Sequence, residues 1–166
     1  MRRRERGAVM IESILMAPVI LMLLTGTIEV GRLIYTYAAL EKVLNTVARG
    51  AASAQGINFC AESDTTLQAI KDLAVTGSAD GSGAAIVNGL TSDQVSVRPE
   101  RINATEGSLG QCDCSTTGCD MANGGLSPDF IVANLPNGYS FRPLFFGLSV
   151  PPILLRPHVR VHFGGP

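Results

Sequence analysis

The chain has 166 residues, with 13 Lys or Arg against 14 Asp or Glu, a net charge of −1, 18 Gly and no Trp. Without residues 1–7, which hold four arginines and Glu5, nine basic side chains face thirteen acidic ones and the net charge is −4. A nucleic-acid binder carries a basic surface, so that class is disfavoured, and no nucleophile–base pair, paired carboxylates or phosphate loop marks an enzyme.

The first predicted element is a long helix. Arg2, Arg3, Arg4 and Arg6 precede an apolar run from Ala8 to Ile28 whose only charged side chain is Glu12. About 20 apolar residues at about 1.5 Å rise each cross a hydrocarbon core of about 30 Å, so Ile14, Leu15, Pro18, Leu21 and Leu24 are read as membrane-anchoring positions. The arginine excess on one side predicts a cytoplasmic amino terminus and export of everything after Ile28. It also excludes a buried core helix. A cleaved secretory signal would end in a small-residue site soon after a short apolar core, and Gly26, Thr27, Ile28 and Glu29 offer none. An ordinary single-span anchor remains a rival.

Glu12 separates that rival from a processed subunit. A carboxylate inside an apolar span costs several kcal/mol unless it finds a partner, and such residues are functional by default. Cleavage after Gly7 would free a largely cationic amino group on Ala8, four residues from Glu12. The charge then has a partner in its own chain or a neighbour's.

The apolar periodicity continues past the span. Val30, Leu33, Ile34, Tyr37, Leu40, Val43, Leu44, Val47, Ala48 and Ala51 recur every three or four residues, with Glu29, Arg32, Glu41, Lys42, Asn45 and Arg49 mostly between them. One helix is expected from about Ala8 to about Ala54, roughly 70 Å long, whose second half packs on its own globular head. Pro18 removes one backbone hydrogen bond inside it.

The stretch Gly7-Ala8-Val9-Met10-Ile11-Glu12, the apolar run after it, Ile28-Glu29-Val30-Gly31-Arg32-Leu33-Ile34-Tyr35 and Ala48-Arg49-Gly50-Ala51-Ala52 closely resemble the TadE-like proteins. These are minor pilins or pseudopilins of the tight-adherence system that builds Flp pili. The resemblance implies cleavage between Gly7 and Ala8 by a prepilin peptidase and a role in pilus assembly or secretion, and the lone carboxylate in the span makes Glu12 the expected assembly residue. The implied partners are other pilin or pseudopilin subunits, that peptidase, an inner-membrane assembly platform and the lipid bilayer, with no nucleic acid and no cofactor. One position departs from the pattern: Ser13 follows Glu12 where founding members carry tyrosine.

The expected organisation is a basic leader at 1–7, a transmembrane segment at 8–28, a helical stalk at 29–56 and an exported head at 57–166. About 110 residues suffice for one modest core. In the head, Thr65 to Val75 reads as a helix with Asp64 or Thr65 as N-cap, Gln68 placed for a capping box and Gly77 ending it. Gln94 to Arg98 alternates as a strand, with Pro99 placing it near an edge. Tyr139 to Arg142 and Ile153 to Phe163 read as further strands, the latter broken at Pro157. The fold expected is α+β, two or three antiparallel strands packed against the stalk.

Cys60, Cys112, Cys114 and Cys119 suit two disulfides in an oxidising compartment. A Cys112–Cys114 ring would be very tight, which favours Cys60 joined to one of the later three and the other two bridged at short range. A tetrathiolate zinc site is the rival, although C-x-C-x4-C is not its familiar spacing. His158 and His162 on one strand face lie roughly 13 Å apart, too far to share an ion. The Asn103-Ala104-Thr105 acceptor pattern occurs often by chance. Two classes stay open: a structural or assembly protein of a pilus machine, and a membrane-tethered binding or enzyme domain.

Overall fold

A computed structural model describes residues 2–54, 56–61, 63–103, 107–112, 125–144 and 150–164. Helix α1 (Arg2–Ser53) is a single unbroken run that includes Pro18. It starts nearer the amino terminus than the periodicity predicts, because nothing in Arg2–Gly7 stops a helix. Helix α2 (Thr65–Thr76) follows, then strands β1 (Ser96–Ile102), β2 (Leu109–Gln111), β3 (Phe130–Asn134), β4 (Tyr139–Phe141), β5 (Ile153–Leu155) and β6 (His158–His162). The fold is α+β, as the pattern predicts.

The second half of α1 is where the stripe is spent. Leu40, Val43, Leu44, Val47, Ala48 and Ala51 are at most 2% exposed. The first five pack with Ala74 and Val75 of α2, with Val87, Leu90 and Val95, and with Ala133, Leu135, Phe141 and Leu155 of the sheet segments. A second cluster near the end of the helix joins Ala51 and Ala52 to Ile57, Leu67 and Ile131. Lower on the same helix Val30 and Ile34 remain about 60% exposed, at 58% and 61%. The head therefore covers one face of the stalk and leaves the neighbouring face bare.

The principal sheet has strand order β2-β1-β3-β6, all neighbours antiparallel, and β4 pairs with β5 separately. Pro99 is inside β1, one strand in from the edge, and β2 pairs only with Glu100–Ile102, so at Pro99 the β2 side of the strand is open, as its type suggests. Backbone N–H and C=O of one residue point to the same side of an antiparallel strand. The Pro99 carbonyl accepts from the Cys112 N–H at 3.1 Å, on the β2 side and just past the end of that three-residue strand. The missing donor therefore falls beyond a short ladder and leaves the β1–β3 pairing whole.

Helix α2 is cut by its caps. The Asp64 carboxylate accepts from the Leu67 N–H at 2.9 Å and from the Asn58 N–H at 3.0 Å, and Gly77 closes the helix at φ 78°. Gln68 does not serve a capping box: its amide donates to Ser92 and to Asp72. Partial burial works to raise the Asp64 pKa, but the N–H groups of Asn58, Leu67 and Thr66 together hold it below 3.8. With a lowered folded pKa, the stabilisation from Asp64 is fully present above its unfolded value and is lost as pH falls through the folded one. Asp64→Ala is expected to cost about 1–2 kcal/mol at neutral pH. Urea melts in detergent check this, and the gap to wild type should shrink as the pH falls below the ordinary carboxylate range.

Candidate functional site along helix α1

Gly7 and Ala8 lie within the helical backbone of α1, so the bond between them is an ordinary helical peptide in the uncut chain. Glu12 is one turn on, about 6 Å along the axis, and is exposed on the isolated helix. The apolar positions around it have no cover: Ile14 is 70% exposed, Leu15 68%, Leu21 63% and Leu24 55%, and Pro18 is exposed as well. A helix presenting unbroken apolar surface on every side demands a medium other than water. Its length and composition are those of a membrane-crossing helix.

The hydroxyls in this stretch fit such a medium. Thr25 donates to the Leu21 carbonyl at 2.7 Å and Thr27 to the Leu23 carbonyl at 2.9 Å. Each satisfies its donor within its own helix, as a polar group in hydrocarbon must.

Where the span ends, the structure brings together three residues that sequence reasoning did not single out. Glu29 is only 6% exposed, although its spacing places it among the polar positions between the stripe residues. Its Oε1 accepts from Arg32 at 2.7 Å, and the Arg32 guanidinium lies 5.8 Å above the ring centre of Phe141 in β4. The pair is local, three residues apart, and the head reaches it through the Phe141 ring against Arg32. A Glu and an Arg at this spacing just past an apolar run was the available signal, and it needed the β4 contact to acquire meaning.

The cysteines divide. Cys60 and Cys112 are both disulfide-bonded, and no cysteine among the described residues is free. Cys114 and Cys119 lie outside the described residues, and so does the choice of connectivity. His158, Arg160 and His162 line the outer face of β6, with Arg160 ion-paired to Glu100 at 2.8 Å and the His162 ring 4.3 Å from that of Phe130. Among the described residues no cluster of His, Cys, Asp or Glu could hold a metal. Asn103 ends β1 in a turn, its N–H donating to Ser108 at 2.8 Å, while Ala104 and Thr105 lie outside the described residues.

The arrangement that emerges is an uncovered apolar helix segment carrying one carboxylate, a cation–aromatic contact at its exit and a head clasped to the second half of the helix. Residues 7–49 match the family model described as TadE-like protein. No curated protein and no solved structure matches the chain. The matched residues run from the glycine ahead of the apolar run to the middle of the head-bearing stalk. Helix α1 is therefore similar to the TadE-like family over about a quarter of the chain, and the head is not part of that match.

Proposed function

We propose that this chain is a minor pilin or pseudopilin of the tight-adherence system, held in the membrane by residues 8–28 and carrying its head on a stalk of residues 29–56. Residues 1–7 act as a cytoplasmic leader removed after Gly7, and residues 57–166 form the exported head. The single observation that carries the reading is Glu12 in an otherwise apolar, uncovered helix within the TadE-like match. A tether has no use for a carboxylate at that depth, whereas a subunit does if Ala8 becomes an amino terminus. The family is not one of enzymes, and the chain is read here as a structural or assembly protein rather than a catalyst.

Its partners under this reading are other pilin-type subunits, the prepilin peptidase and the assembly platform. An oxidising, extracytoplasmic head also suits the bonded states of Cys60 and Cys112. The test is the amino-terminal sequence of the protein from cells with an active prepilin peptidase. Ala8 is expected as the first residue, with the span retained. An intact Met1, or a cut beyond Gly26, would refute the reading.

A further inference from the structure

We infer that the outer edge of β6 takes up an extended strand of a partner protein, and that this strand turns a carboxylate side chain toward Lys42 and Arg49 of α1.

The backbone of β6 is only half used. The Phe163 N–H donates to the Asp129 carbonyl at 2.9 Å, and the ladder with β3 runs in unbroken register from Phe130 against His162 to Asn134 against His158. Opposed residues in an antiparallel ladder alternate between bonded and non-bonded pairs, so Val159 and Val161 spend their N–H and C=O groups on β3, whereas those of His158, Arg160 and His162 point away from it. Strand β6 ends the order β2-β1-β3-β6, which leaves three donors and three acceptors open along one line.

Sheets blunt such an edge by shortness, a proline, a bulge, a projecting charge or a covering segment. Strand β2, at the other end, is three residues long. Strand β6 has five, with no proline among them and no bulge in its register. Its polar side chains do not guard it either: Arg160 turns back over the sheet to Glu100 at 2.8 Å and lies 6.0 Å above the Phe130 ring, and the His162 ring leans on the same phenylalanine. The edge stays usable.

Beside it runs a groove lined by Glu41, Lys42, Asn45 and Arg49 of α1 together with Val159. Among the described residues neither Lys42 nor Arg49 has an ion-pair partner, and the two cations outnumber Glu41. The Asn45 Oδ1 is buried with no donor among the described residues. A strand added to β6 sends every second side chain toward α1. A carboxylate among them meets the two cations, and a hydroxyl or amide supplies the donor that Asn45 lacks.

A second copy of this chain fits less well. Strand β6 follows α1, with Val159 beside the groove and Phe163 against Ala51 and Ala52. Two copies joined through this edge in an antiparallel ladder would therefore point their α1 helices in opposing directions, which chains inserted with one orientation cannot do. That step rests on the reading of α1 as a membrane anchor. Strand β2, the other open strand of the sheet, contains no acidic residue to offer.

The probes are three fluorescein-labelled peptides of alternating valine and threonine, with glutamate, glutamine or lysine in place of two central threonines, titrated into the full-length protein in detergent. Saturation with the glutamate peptide should slow amide exchange about tenfold or more at His158, Arg160 and His162 and leave Val159 and Val161 unchanged. The glutamate peptide should bind about tenfold more tightly than the lysine peptide, and Lys42→Glu with Arg49→Glu should reverse that order. Arg160→Pro removes one outward donor and should abolish binding, while Arg160→Ala, which loses the Glu100 pair but keeps the donor, should retain it. The exchange pattern is read in the unaltered protein, so the test holds even if the proline variant does not fold. Equal affinity for the three peptides, no binding at about 1 mM peptide, or slowed exchange without the alternation overturns the inference. Protection of the three amides that rises with protein concentration alone means that a second copy occupies the edge, and this too overturns it. None of these failures touches the proposed processing of α1, which the amino-terminal sequence tests separately.

Discussion

Glu12→Ala should leave the protein in the membrane fraction at normal abundance and remove surface pili. The span is uncovered at every described position from Met10 to Leu24, so no tertiary contact in the chain depends on the Glu12 side chain. Loss of the charge makes insertion easier rather than harder. Under the proposed cleavage after Gly7, what disappears is the ionic partner for the amino group that this would free on Ala8. A charge-assisted hydrogen bond is worth about 1.5–3 kcal/mol, and its loss weakens each joint by about tenfold or more. The measurement is pili counted on cells together with immunoblots of membranes. Normal piliation at normal abundance would refute the role of Glu12, and loss of the protein itself would reduce the residue to part of an anchor. Glu12→Gln, which keeps shape without charge, should behave as the alanine variant does.

The largest effect on stability is expected at the stalk–head seam. Leu44 is 1% exposed and packs among residues from α2 and the sheet segments. Leu44→Ala removes three carbons from a close-packed site and should destabilise the head by about 2–5 kcal/mol. Denaturant melts in detergent, followed by near-ultraviolet circular dichroism from the tyrosines, would show an early loss of head packing. The far-ultraviolet signal of the span should persist. Leu21→Ala is the counterpart: the same chemistry at a position 63% exposed should leave the head's midpoint unchanged. Equal effects at the two positions would mean that the head does not depend on its seat on α1.

These two positions show why part of the structure was legible in the sequence. A stripe at helical spacing from Leu40 to Ala51 has one physical explanation, and the structure buries it. Asp64 and Gly77 punctuate α2 by the chemistry of its first N–H and last C=O groups. Pro157 divides β5 from β6, as a residue without a donor must.

Strand β3 is the instructive failure. Phe130–Asn134 lies between β1 and β6, with Ile131, Val132 and Ala133 all buried, yet it was not foreseen. A short continuous apolar run lacks the alternation that identifies a half-buried strand. Strand β2, Leu109–Gln111, is wholly exposed and exists through its pairing with β1, so its side chains carry no pattern at all. Glu29 misleads in the opposite way. Its spacing says solvent, yet it is buried and ion-paired to Arg32, whose guanidinium lies over Phe141 from 109 residues further along the chain, a contact that leaves no trace in local periodicity.

The continuity of α1 has a geometric consequence for any assembly. The helix passes without interruption from the span into the segment clasped by the head, so the two share one helical phase. Adding one residue between Ile28 and Leu33 would turn the head by about 100° around the axis and raise it by about 1.5 Å. The azimuth at which the head faces its neighbours is thus set by counting residues along a screw.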